Sequence, residues 1–487
     1  MTSPLHNLKP QLVWKHFDAL LGIPRPSKHE EQVVRHIVAW AEGKGFGVVR
    51  DAAGNVVVKV PATPGKEKAP IVVLQGHVDI VAEKNQDVEF DFLKDAIQPR
   101  IEGDYLYATG TTLGADNGVG VAAAMAVAED PDASHGPLEL LFTVDEETGL
   151  TGAMELDPAL LQGRTMINLD TEEDGAVYMG CAGGGTTRIR FTVEHEVAAA
   201  GSEAMHIAVR GLRGGHSGVD IHENRGNAIK CLARTLHALR KEGVDFAIVS
   251  LVGGSKHNAI PRESDAMLRI AGGDEPKLRQ VVAKFEGVLR DEFQDIDPNL
   301  RLEVKPAQGD THRVWSVTDR DRILDALLAC PNGVLAMSRA VPGLVETSNN
   351  LAVVEIEGDE VRVLGSSRSS VMPSLRATQE QVAAVFRLAG ADVKEMDGYP
   401  GWKPNPKSPA LNVAKRVHFE VFGEEPHLRA IHAGLECGLI GEKFPGMDMV
   451  SIGPQIEGPH SPDERVQIST VDRFYTLLKA ILKDMAA

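Results

Sequence analysis

Apolar runs alternate with helical repeats in the first part of the chain. Four apolar segments predict strands, and continuous runs of this kind suit strands buried on both faces of an α/β sheet: Val56–Val60, Ile71–Leu74, Leu138–Val144 and Met166–Leu169. Ser27–Glu30 has the form of a capping box, and apolar residues follow it at helical spacing to Ala41. The alanine-rich segment Asp116–Glu129 predicts another helix. This alternation indicates an α/β domain with functional residues at the carboxyl ends of its strands.

The pattern changes from about Thr186. Arg188–Val193 and Met205–Val209 alternate polar and apolar residues, and Asn224–Lys241 carries leucines and Ile229 on one helical face. This mixture continues to about Val393 and predicts an α+β domain, after which the first style returns and ends in a helix, Thr470–Met485. We therefore expect one domain in two parts, 1–185 and 402–487, around an inserted domain, 186–401. No internal repeat is recognisable in the sequence.

Length and composition indicate a globular protein. The 487 residues exceed the limit of roughly 250–300 residues for one core, and hydrophobic residues make up 43%. No segment approaches the ~20 apolar residues that span a bilayer, and the N-terminus has no secretory signal pattern. The four cysteines are widely separated, which argues against a disulfide framework or a thiolate zinc site. We expect a cytoplasmic protein that does not associate with membranes.

The net charge of −18 disfavours nucleic acid as a partner, because phosphates would be repelled and no lysine or arginine stripe opposes the repulsion. The charge is explained most simply by solubility. Acidic residues gathered in a cleft would instead suit metal ions or a cationic substrate.

Acidic and imidazole side chains stand where the apolar strands stop. His77 and Asp79 can share one strand face, and a carboxylate beside a metal-bound imidazole fixes its tautomer. A surface histidine would give the same short motif. Asp116, at the head of a helix, is either an N-cap or a carboxylate that presents both oxygens to two metals. A phosphate loop is disfavoured at Gly110–Gly118, because the Gly-Lys-Ser/Thr ending is missing.

Three further segments extend this pattern. Glu146 and Glu147 follow a strand directly, so either they form a solvated loop end or Glu147 binds metal while Glu146 stays free as a general base. Asp170 follows another strand. His460 lies in a proline-bounded loop, where it is either a metal ligand or a surface residue. Nitrogen and oxygen donors of this kind suit Zn²⁺ or Mn²⁺, and do not suit iron–sulfur or Cu(I) chemistry. The candidate ligands are His77, Asp116, Glu147, Asp170 and His460.

The chain also resembles a known family over nearly its whole length. The motifs that carry the resemblance are QGHVDIV, GTTLGADNGVG, FTVDEETGLTGA, NLDTEE, GLRGGHSGVDI, HNAIPRE, HAGLECG and GPHSPDERV. They resemble those of the aminoacyl-histidine dipeptidases (Xaa-His dipeptidases, or peptidase D), which belong to the carnosinase-like and aminoacylase-like zinc peptidases. The resemblance implies a zinc-peptidase domain with a mixed sheet flanked by helices, plus an inserted α+β lid domain.

The resemblance implies two Zn²⁺ ions, with Mn²⁺ or Co²⁺ as substitutes. The match to Asp116 bridges them, the matches to His77 and Asp170 complete one site, and those to Glu147 and His460 complete the other. All five ligand positions carry the expected residue.

Catalytic roles are implied in the same way. The match to Asp79 orients the first histidine, and the match to Glu146 deprotonates the water between the metals. The Asp116–Asn117 peptide is cis in family members. Gly214–Gly218 by itself suggests a tight turn with a surface histidine, whereas in the family the match to His216 polarises the scissile carbonyl, in some members across a dimer interface.

Substrate contacts are a further expectation. Asn258, Arg262 and Arg368 are candidates for the dipeptide carboxylate, because guanidinium groups bind carboxylates bidentately. Glu436 could meet the substrate amino group. The function expected is hydrolysis of dipeptides, of the Xaa-His type such as carnosine, by a metal-bridging hydroxide. The alternatives are an aminoacylase, deacetylase or tripeptidase of the same metal family, a non-catalytic scaffold, and a zinc-storage or sensor protein. Relatives often form homodimers, which allows a homodimer here.

Overall fold

The structure is a computed structural model that describes residues 3–309 and 311–487. The chain forms two compact units. The first contains the part up to Gly180 together with Trp402–Ala430 and Leu435–Ala487, and the second contains Cys181–Gly401 and Ile431–Gly434. The domain limits inferred from the sequence stay a prediction, and the grouping of residues 431–434 with the second unit was not anticipated by it.

The chain up to Cys181 begins with a 3-10 helix, Pro4–Asn7. Its α-helices are α1 Gln11–Leu21, α2 Glu31–Gly43, α3 Ala115–Glu129, α4 Glu146–Gly149 and α5 Thr151–Glu155. Its strands are β1 Gly47–Arg50, β2 Val56–Val60, β3 Val72–His77, β4 Pro99–Glu102, β5 Tyr105–Ala108, β6 Leu138–Thr143, β7 Thr165–Asn168 and β8 Ala176–Cys181.

The middle of the chain contains thirteen strands and four α-helices among the described residues. The strands are β9 Gly183–Thr192, β10 His195–Val197, β11 Glu203–Arg210, β12 Gly215–His216, β13 Phe246–Gly253, β14 Ala259–Ile260, β15 Ser264–Ile270, β16 Arg301–Pro306, β17 Arg313–Trp315, β18 Gly333–Met337, β19 Val345–Glu357, β20 Glu360–Ser369 and β21 Asp392–Tyr399. The helices are α6 Ala228–Lys241, α7 Glu275–Phe293, α8 Val317–Ala329 and α9 Met372–Leu388, with a 3-10 helix at Ile221–Glu223.

The last part returns to alternating helices and strands. Its elements are α10 Pro409–Phe422, β22 His427–Ile431, α11 Glu436–Lys443, β23 Asp448–Ser451, β24 Ile456–Glu457, β25 Arg465–Gln467 and α12 Ile468–Met485. No helix in the described part of the chain is both long and apolar enough to cross a membrane.

The first unit is built on an eight-stranded sheet of order β1-β2-β6-β3-β7-β23-β8-β22. β3 runs parallel to both β6 and β7, and β7 runs parallel to β23. β2 pairs antiparallel with both β1 and β6. β3 and β6 are buried along their whole length, as their apolar sequences require. Because β6, β3 and β7 are parallel neighbours, their carboxyl ends meet at one edge of the sheet.

The second unit is built on a nine-stranded sheet of order β16-β11-β15-β13-β19-β20-β9-β21, with β18 paired to β19. Its two halves repeat one order of elements. The succession strand, helix, strand, strand, helix, strand is formed once by β11, α6, β13, β15, α7 and β16, and again by β9, α8, β19, β20, α9 and β21. The halves join antiparallel where β13 meets β19. Helices α6 to α9 bury apolar side chains in one core on this sheet.

The expected fold class is confirmed, with a mixed sheet flanked by helices and a second α+β unit. Two local predictions were wrong. Ser27 does not cap a helix, because α2 begins at Glu31 and the Ser27 hydroxyl donates to Asp79 Oδ2 at 2.8 Å. The helix expected from Asn224 begins at Ala228, where the Asn227 side chain accepts from the Lys230 N–H at 3.2 Å.

Candidate functional site

The predicted chemical groups of the first unit gather at the carboxyl edge of β6, β3 and β7. His77 is the last residue of β3, Glu147 follows β6, and Asp170 follows β7. Asp116 is the second residue of α3, where the backbone has not yet become helical. His460 lies in the loop between β24 and β25 with a φ of 60°, a left-handed conformation that is uncommon for a residue other than glycine.

Asp116 lies between two histidines that are 383 positions apart in the sequence. Its Oδ1 is 3.0 Å from His77 Nε2, and its Oδ2 is 3.1 Å from His460 Nε2. Asp170 Oδ1 is 3.4 Å from His77 Nε2, and Glu147 Oε2 is 3.0 Å from His460 Nε2. The donor atoms therefore form two groups that share the carboxylate of Asp116, and the atoms of each group lie within 4.8 Å of one another.

The Asp116–Asn117 peptide is cis, as the family resemblance implies. The Asn117 side chain points into the fold, where its Nδ2 donates to the Leu169 carbonyl at 2.6 Å. Gly76 and Gly120 lie directly against this side chain, and a Cβ at either position would collide with it. Glycine at these two positions thus leaves space for the Asn117 side chain.

Asp79 supports His77 from the side away from Asp116. Its Oδ1 is 3.5 Å from His77 Nδ1, and its two oxygens accept from the Glu146 and Glu147 N–H groups at 3.0 and 3.1 Å. Burial alone would raise the pKa of Asp79, but the hydrogen bonds and the charge of His77 hold it at about 2. Asp79 is therefore an anion that can orient the imidazole.

Electrostatics at this edge show an excess of buried negative charge. Burial raises the pKa of Asp170 to about 6 and of Glu172 to about 9, and neighbouring carboxylates add to both shifts. Hydrogen bonds to Asp116 and Glu147 raise the pKa of His460 to about 11. The pKa of Glu146 is also raised well above its usual value, first by burial and then by nearby acids. In the absence of another cation, protons must balance these charges.

The donor set fits divalent metal ions. It consists of imidazole nitrogens and carboxylate oxygens, which Zn²⁺ accepts in catalytic sites. The buried Asp170 Oδ1 makes no hydrogen bond to the described residues, and the nearby ring nitrogen, His77 Nε2 at 3.4 Å, is itself a proposed ligand, so both atoms can coordinate a cation. Metal ions would also supply the positive charge that the buried carboxylates lack.

Glu436 belongs to the first unit and is only 1% exposed. Its Oε2 accepts from Gln75 Nε2 at 2.6 Å and from Thr143 Oγ1 at 2.8 Å, whereas its Oε1 has no partner among the described residues. Burial raises its pKa to about 7. The structure thus places Glu436 inside the first unit, and its contact with a substrate amino group stays a prediction.

His216, Asn258, Arg262 and Arg368 all belong to the second unit. His216 Nδ1 accepts from the N–H groups of Gly218 at 3.3 Å and Val219 at 3.1 Å. Burial lowers the pKa of His216, and the charge of Arg368 lowers it further. The imidazole is therefore neutral at pH 7, with its proton on Nε2. This tautomer can donate a hydrogen bond.

The three predicted carboxylate contacts have different surroundings. Arg368 is 7% exposed and donates from its guanidinium to the Tyr399 hydroxyl at 2.9 Å. The Arg262 side chain is 70% exposed, with Glu263 Oε1 4.0 Å away. The carbonyl of Asn258 accepts from the Ser217 N–H at 2.8 Å, which ties it to the His216 loop.

Sequence reasoning missed several groups at the site edge. Glu172 was quoted within a motif but given no role. Arg25 is buried and bonded to the Val78 and Gly114 carbonyls, and Glu464 is buried and bonded to backbone N–H groups of the Asp116 loop. The signal available for Arg25 was its place between two prolines, which is weak. For Glu464 it was the closeness to His460.

Comparisons with known proteins agree with this geometry. The sequence profile of peptidase family M20/M25/M40 matches residues 73–484. The cytosol non-specific dipeptidase of Escherichia coli K12 is 42% identical over 485 residues, covering 100% of both chains. The solved structure of an aminoacylhistidine dipeptidase from Vibrio alginolyticus has a TM-score of 0.94 at 42% identity, covering 99% of this chain and 98% of that one.

More distant structures share the fold alone. An aminopeptidase PepT from Bacillus cereus has a TM-score of 0.57 at 17% identity, covering 99% of this chain and 100% of its own. The family is metal-dependent, in keeping with the donor set around Asp116. On the profile match and the full-length identity, the chain belongs to peptidase family M20/M25/M40.

Proposed function

We propose that this chain is a cytoplasmic dipeptidase that uses two Zn²⁺ ions to hydrolyse the peptide bond of dipeptides, including those with a C-terminal histidine. The proposal is supported by the activities of two relatives at 42% identity, a cytosol non-specific dipeptidase and an aminoacylhistidine dipeptidase. The first relative favours a broad range of dipeptides as substrates of this chain, and the second favours Xaa-His substrates such as carnosine.

The observation that carries the proposal is the position of Asp116 between His77 and His460. One carboxylate that offers an oxygen to each of two donor groups is the arrangement needed to hold two cations side by side. His77, Asp116 and Asp170 would hold one ion, and Asp116, Glu147 and His460 the other. When bound, the ions supply Lewis-acid stabilisation of charge on the substrate oxygen.

Glu146 is the proposed general base. Its backbone is fixed by Asp79, and its side chain belongs to the same cluster as His77 and Glu147. The carboxylate takes a proton from the attacking water and returns it to the leaving nitrogen. A raised pKa suits this role, because a base that titrates closer to neutral pH can both accept and release the proton.

Substrate contacts complete the proposal. The neutral His216 would donate from Nε2 to the carbonyl oxygen of the scissile bond. Arg368 would bind the substrate carboxylate, with Asn258 and Arg262 as further contacts, and Glu436 is the candidate for the amino group. We also propose a homodimer, which the mass of the protein in solution would test.

The first experiment compares Glu146→Gln with Glu147→Gln. We expect Glu146→Gln to retain two zinc ions and to lose about 10²–10⁴-fold in turnover, because the proton acceptor is removed. Glu147→Gln should lose zinc, since it removes a proposed ligand. Zinc content by atomic absorption and turnover of a dipeptide are measured on the same samples. Near-normal turnover in Glu146→Gln would reject the role of Glu146.

The second experiment decides between dipeptides and the other substrates of this metal family. Rates are measured for Xaa-His dipeptides, dipeptides without histidine, tripeptides and N-acetylated amino acids. The proposal expects dipeptides to be cleaved faster than the other two classes. A preference for N-acetylated amino acids would instead indicate an aminoacylase.

A further inference from the structure

The loop that carries Asp116 is held from two sides by buried charged residues. On one side, the carboxylate of Glu464 accepts from four successive backbone N–H groups. Its Oε2 is 2.7 Å from the Leu113 nitrogen and 2.9 Å from that of Gly114, and its Oε1 is 2.7 Å from the Ala115 nitrogen and 3.2 Å from that of Asp116. Successive N–H groups that converge in this way form a concave anion-binding surface.

On the other side, the guanidinium of Arg25 holds the carbonyls. It donates to the Gly114 carbonyl at 2.7 Å and to the Val78 carbonyl at 2.9 Å. The loop before Asp116 is thereby joined to the segment that follows His77. Burial lowers the pKa of Arg25 to about 10, so the group stays a cation at neutral pH.

Glycine is required at two points for this arrangement. Gly114 has a φ of 71°, and a Cβ there would lie 2.8 Å from the Arg25 guanidinium. A Cβ at Gly118 would lie 2.6 Å from the same group. The guanidinium therefore lies against the backbone on both sides of Asp116, with no room for larger residues.

Neither residue is placed to bind metal or substrate. Both oxygens of Glu464 already accept two hydrogen bonds each, and Glu464 and Arg25 are 2% and 1% exposed. Glu464 is four residues beyond His460, so one short segment supplies a proposed ligand and also fixes the backbone of another. The contacts of this pair reach three of the segments that carry proposed ligands, those of His77, Asp116 and His460.

We propose that Glu464 and Arg25 are positioning residues that hold the two oxygens of Asp116 toward both metal sites before any metal binds. This inference rests on the proposed function, because it assigns Asp116 to two ions. To offer one oxygen to each of two ions, the Asp116 carboxylate would have to keep one orientation, and a rotation of its backbone would turn it away from His77 and His460 at once. Such supporting contacts typically change metal affinity or activity by about 10–100-fold.

The test compares Glu464→Gln with the matched control Glu139→Gln. Glu139 is also a buried glutamate that accepts backbone N–H bonds, from Gln162 at 2.9 Å and Gly163 at 3.0 Å. It lies near the amino end of β6, away from the site. In Glu464→Gln, an NH₂ group replaces one of the two accepting oxygens and would face backbone N–H donors. The loop that carries Asp116 should then lose its fixed position.

Zinc affinity is measured by competition with a chromophoric chelator, and melting temperature is measured on the metal-free proteins. We expect both variants to lower the melting temperature, whereas only Glu464→Gln weakens zinc binding, by about 10–100-fold. Glu464→Asp, which keeps the carboxyl group, should recover part of the affinity. An unchanged zinc affinity in Glu464→Gln, or an equal loss in Glu139→Gln, would overturn the inference.

Should Glu464→Gln fail to fold, Arg25→Lys tests the inference instead. Lysine keeps the positive charge but lacks the planar guanidinium that donates to the Val78 and Gly114 carbonyls at the same time. It should weaken zinc binding by about tenfold or more, and an unchanged affinity would overturn the inference. Failure of the proposed function is distinguishable. In that case the unaltered protein itself would bind no zinc, whereas failure of this inference leaves its zinc binding intact.

Discussion

Both oxygens of Asp79 are engaged by hydrogen-bond donors from two separate segments. Ser27 donates its hydroxyl, and Glu146 and Glu147 donate their backbone N–H groups. The same carboxylate faces His77 Nδ1. One side chain therefore contacts an imidazole and also holds the start of the segment that carries the proposed base. A change at Asp79 is therefore expected to affect both metal binding and proton transfer.

Asp79→Asn tests this double role. The amide is neutral and would present an NH₂ group to backbone donors, so we expect zinc affinity and turnover each to fall by about 10–100-fold. Dialysis against graded zinc concentrations and turnover at saturating zinc measure the two effects. Ser27→Ala is the control, because it removes one donor and leaves the charge. If Asp79→Asn affects neither quantity more than Ser27→Ala does, the role of Asp79 is wrong.

His432, a buried residue of the second unit, gives a pH prediction that does not involve the proposed metal ligands. Burial, reinforced by the charge of Arg368, lowers the pKa of His432 from 6.5 to about 3. As the pH falls below 6.5, the unfolded chain takes up a proton at this residue while the folded chain does not. The unfolded state then binds more protons, so stability decreases as the pH falls.

The measurement compares melting temperatures at about pH 7.5 and pH 5 for the unaltered protein and for His432→Gln. The variant loses the contact of His432 Nε2 with Ser348 Oγ, 2.7 Å long, and should be less stable at the higher pH. Its melting temperature should then fall less between the two pH values, because the titrating group is gone. An equal fall in both proteins would show that His432 does not titrate in this way.

Chemical roles at single residues could be predicted only where the residue type itself is informative. His77 and Asp116 stand out because imidazole and carboxylate groups at strand ends need an explanation. Arg25 and Glu464 could not be predicted, since a single arginine or glutamate is normally a surface residue. Their function depends on backbone groups, which no sequence pattern displays.

At the scale of elements, apolar runs predicted the strands well. β2 has the predicted limits, and β6 ends within one residue of its predicted end, because burial on both faces requires continuous apolar sequence. Helix starts were less predictable. Ser27 was expected to cap a helix, yet its hydroxyl donates to Asp79, a partner that is distant in the sequence.

Helix α3 carries a close approach that can be tested. A Cβ at Gly120 would meet the Leu169 carbonyl and the Asn117 side chain, so Gly120→Ala should destabilise the protein by about 1–3 kcal/mol. Gly43, in helix α2, has nothing within 4 Å of its Cβ position. Gly43→Ala should be neutral or stabilise by up to about 1 kcal/mol. Urea unfolding of both variants gives the comparison, and equal effects would contradict the crowding at Gly120.

At the scale of the whole molecule, the second unit contains a repeat that the sequence does not reveal. Its halves share an order of strands and helices and meet at β13 and β19. β9 is separated from the rest of its half by the entire other half, so the repeat is interrupted along the chain. A fold can be kept when only the pattern of apolar positions is kept. The two halves can therefore share a topology without recognisable sequence similarity.

All proposed metal ligands belong to the first unit. We therefore expect removal of the metal to loosen the backbone of the first unit and not that of the second. After chelation, hydrogen exchange measured by mass spectrometry should become faster in peptides that cover residues 110–118 and 458–464. Peptides from β11, β13 and β15 should keep their protection, because these strands lie in the core of the second unit. Faster exchange in all of these peptides alike would contradict a metal site confined to the first unit.

The order of segments has a consequence for synthesis of the protein. His77, Asp116, Glu147 and Asp170 leave the ribosome early, but His460 and Glu464 follow about 290 residues later. A nascent chain that ends before residue 460 carries one incomplete set of ligands, and the loop around Asp116 has no carboxylate to bind its N–H groups. Truncated or unfinished chains would therefore be unable to assemble the second proposed metal site, which would limit peptide-bond cleavage to molecules whose translation has passed this point.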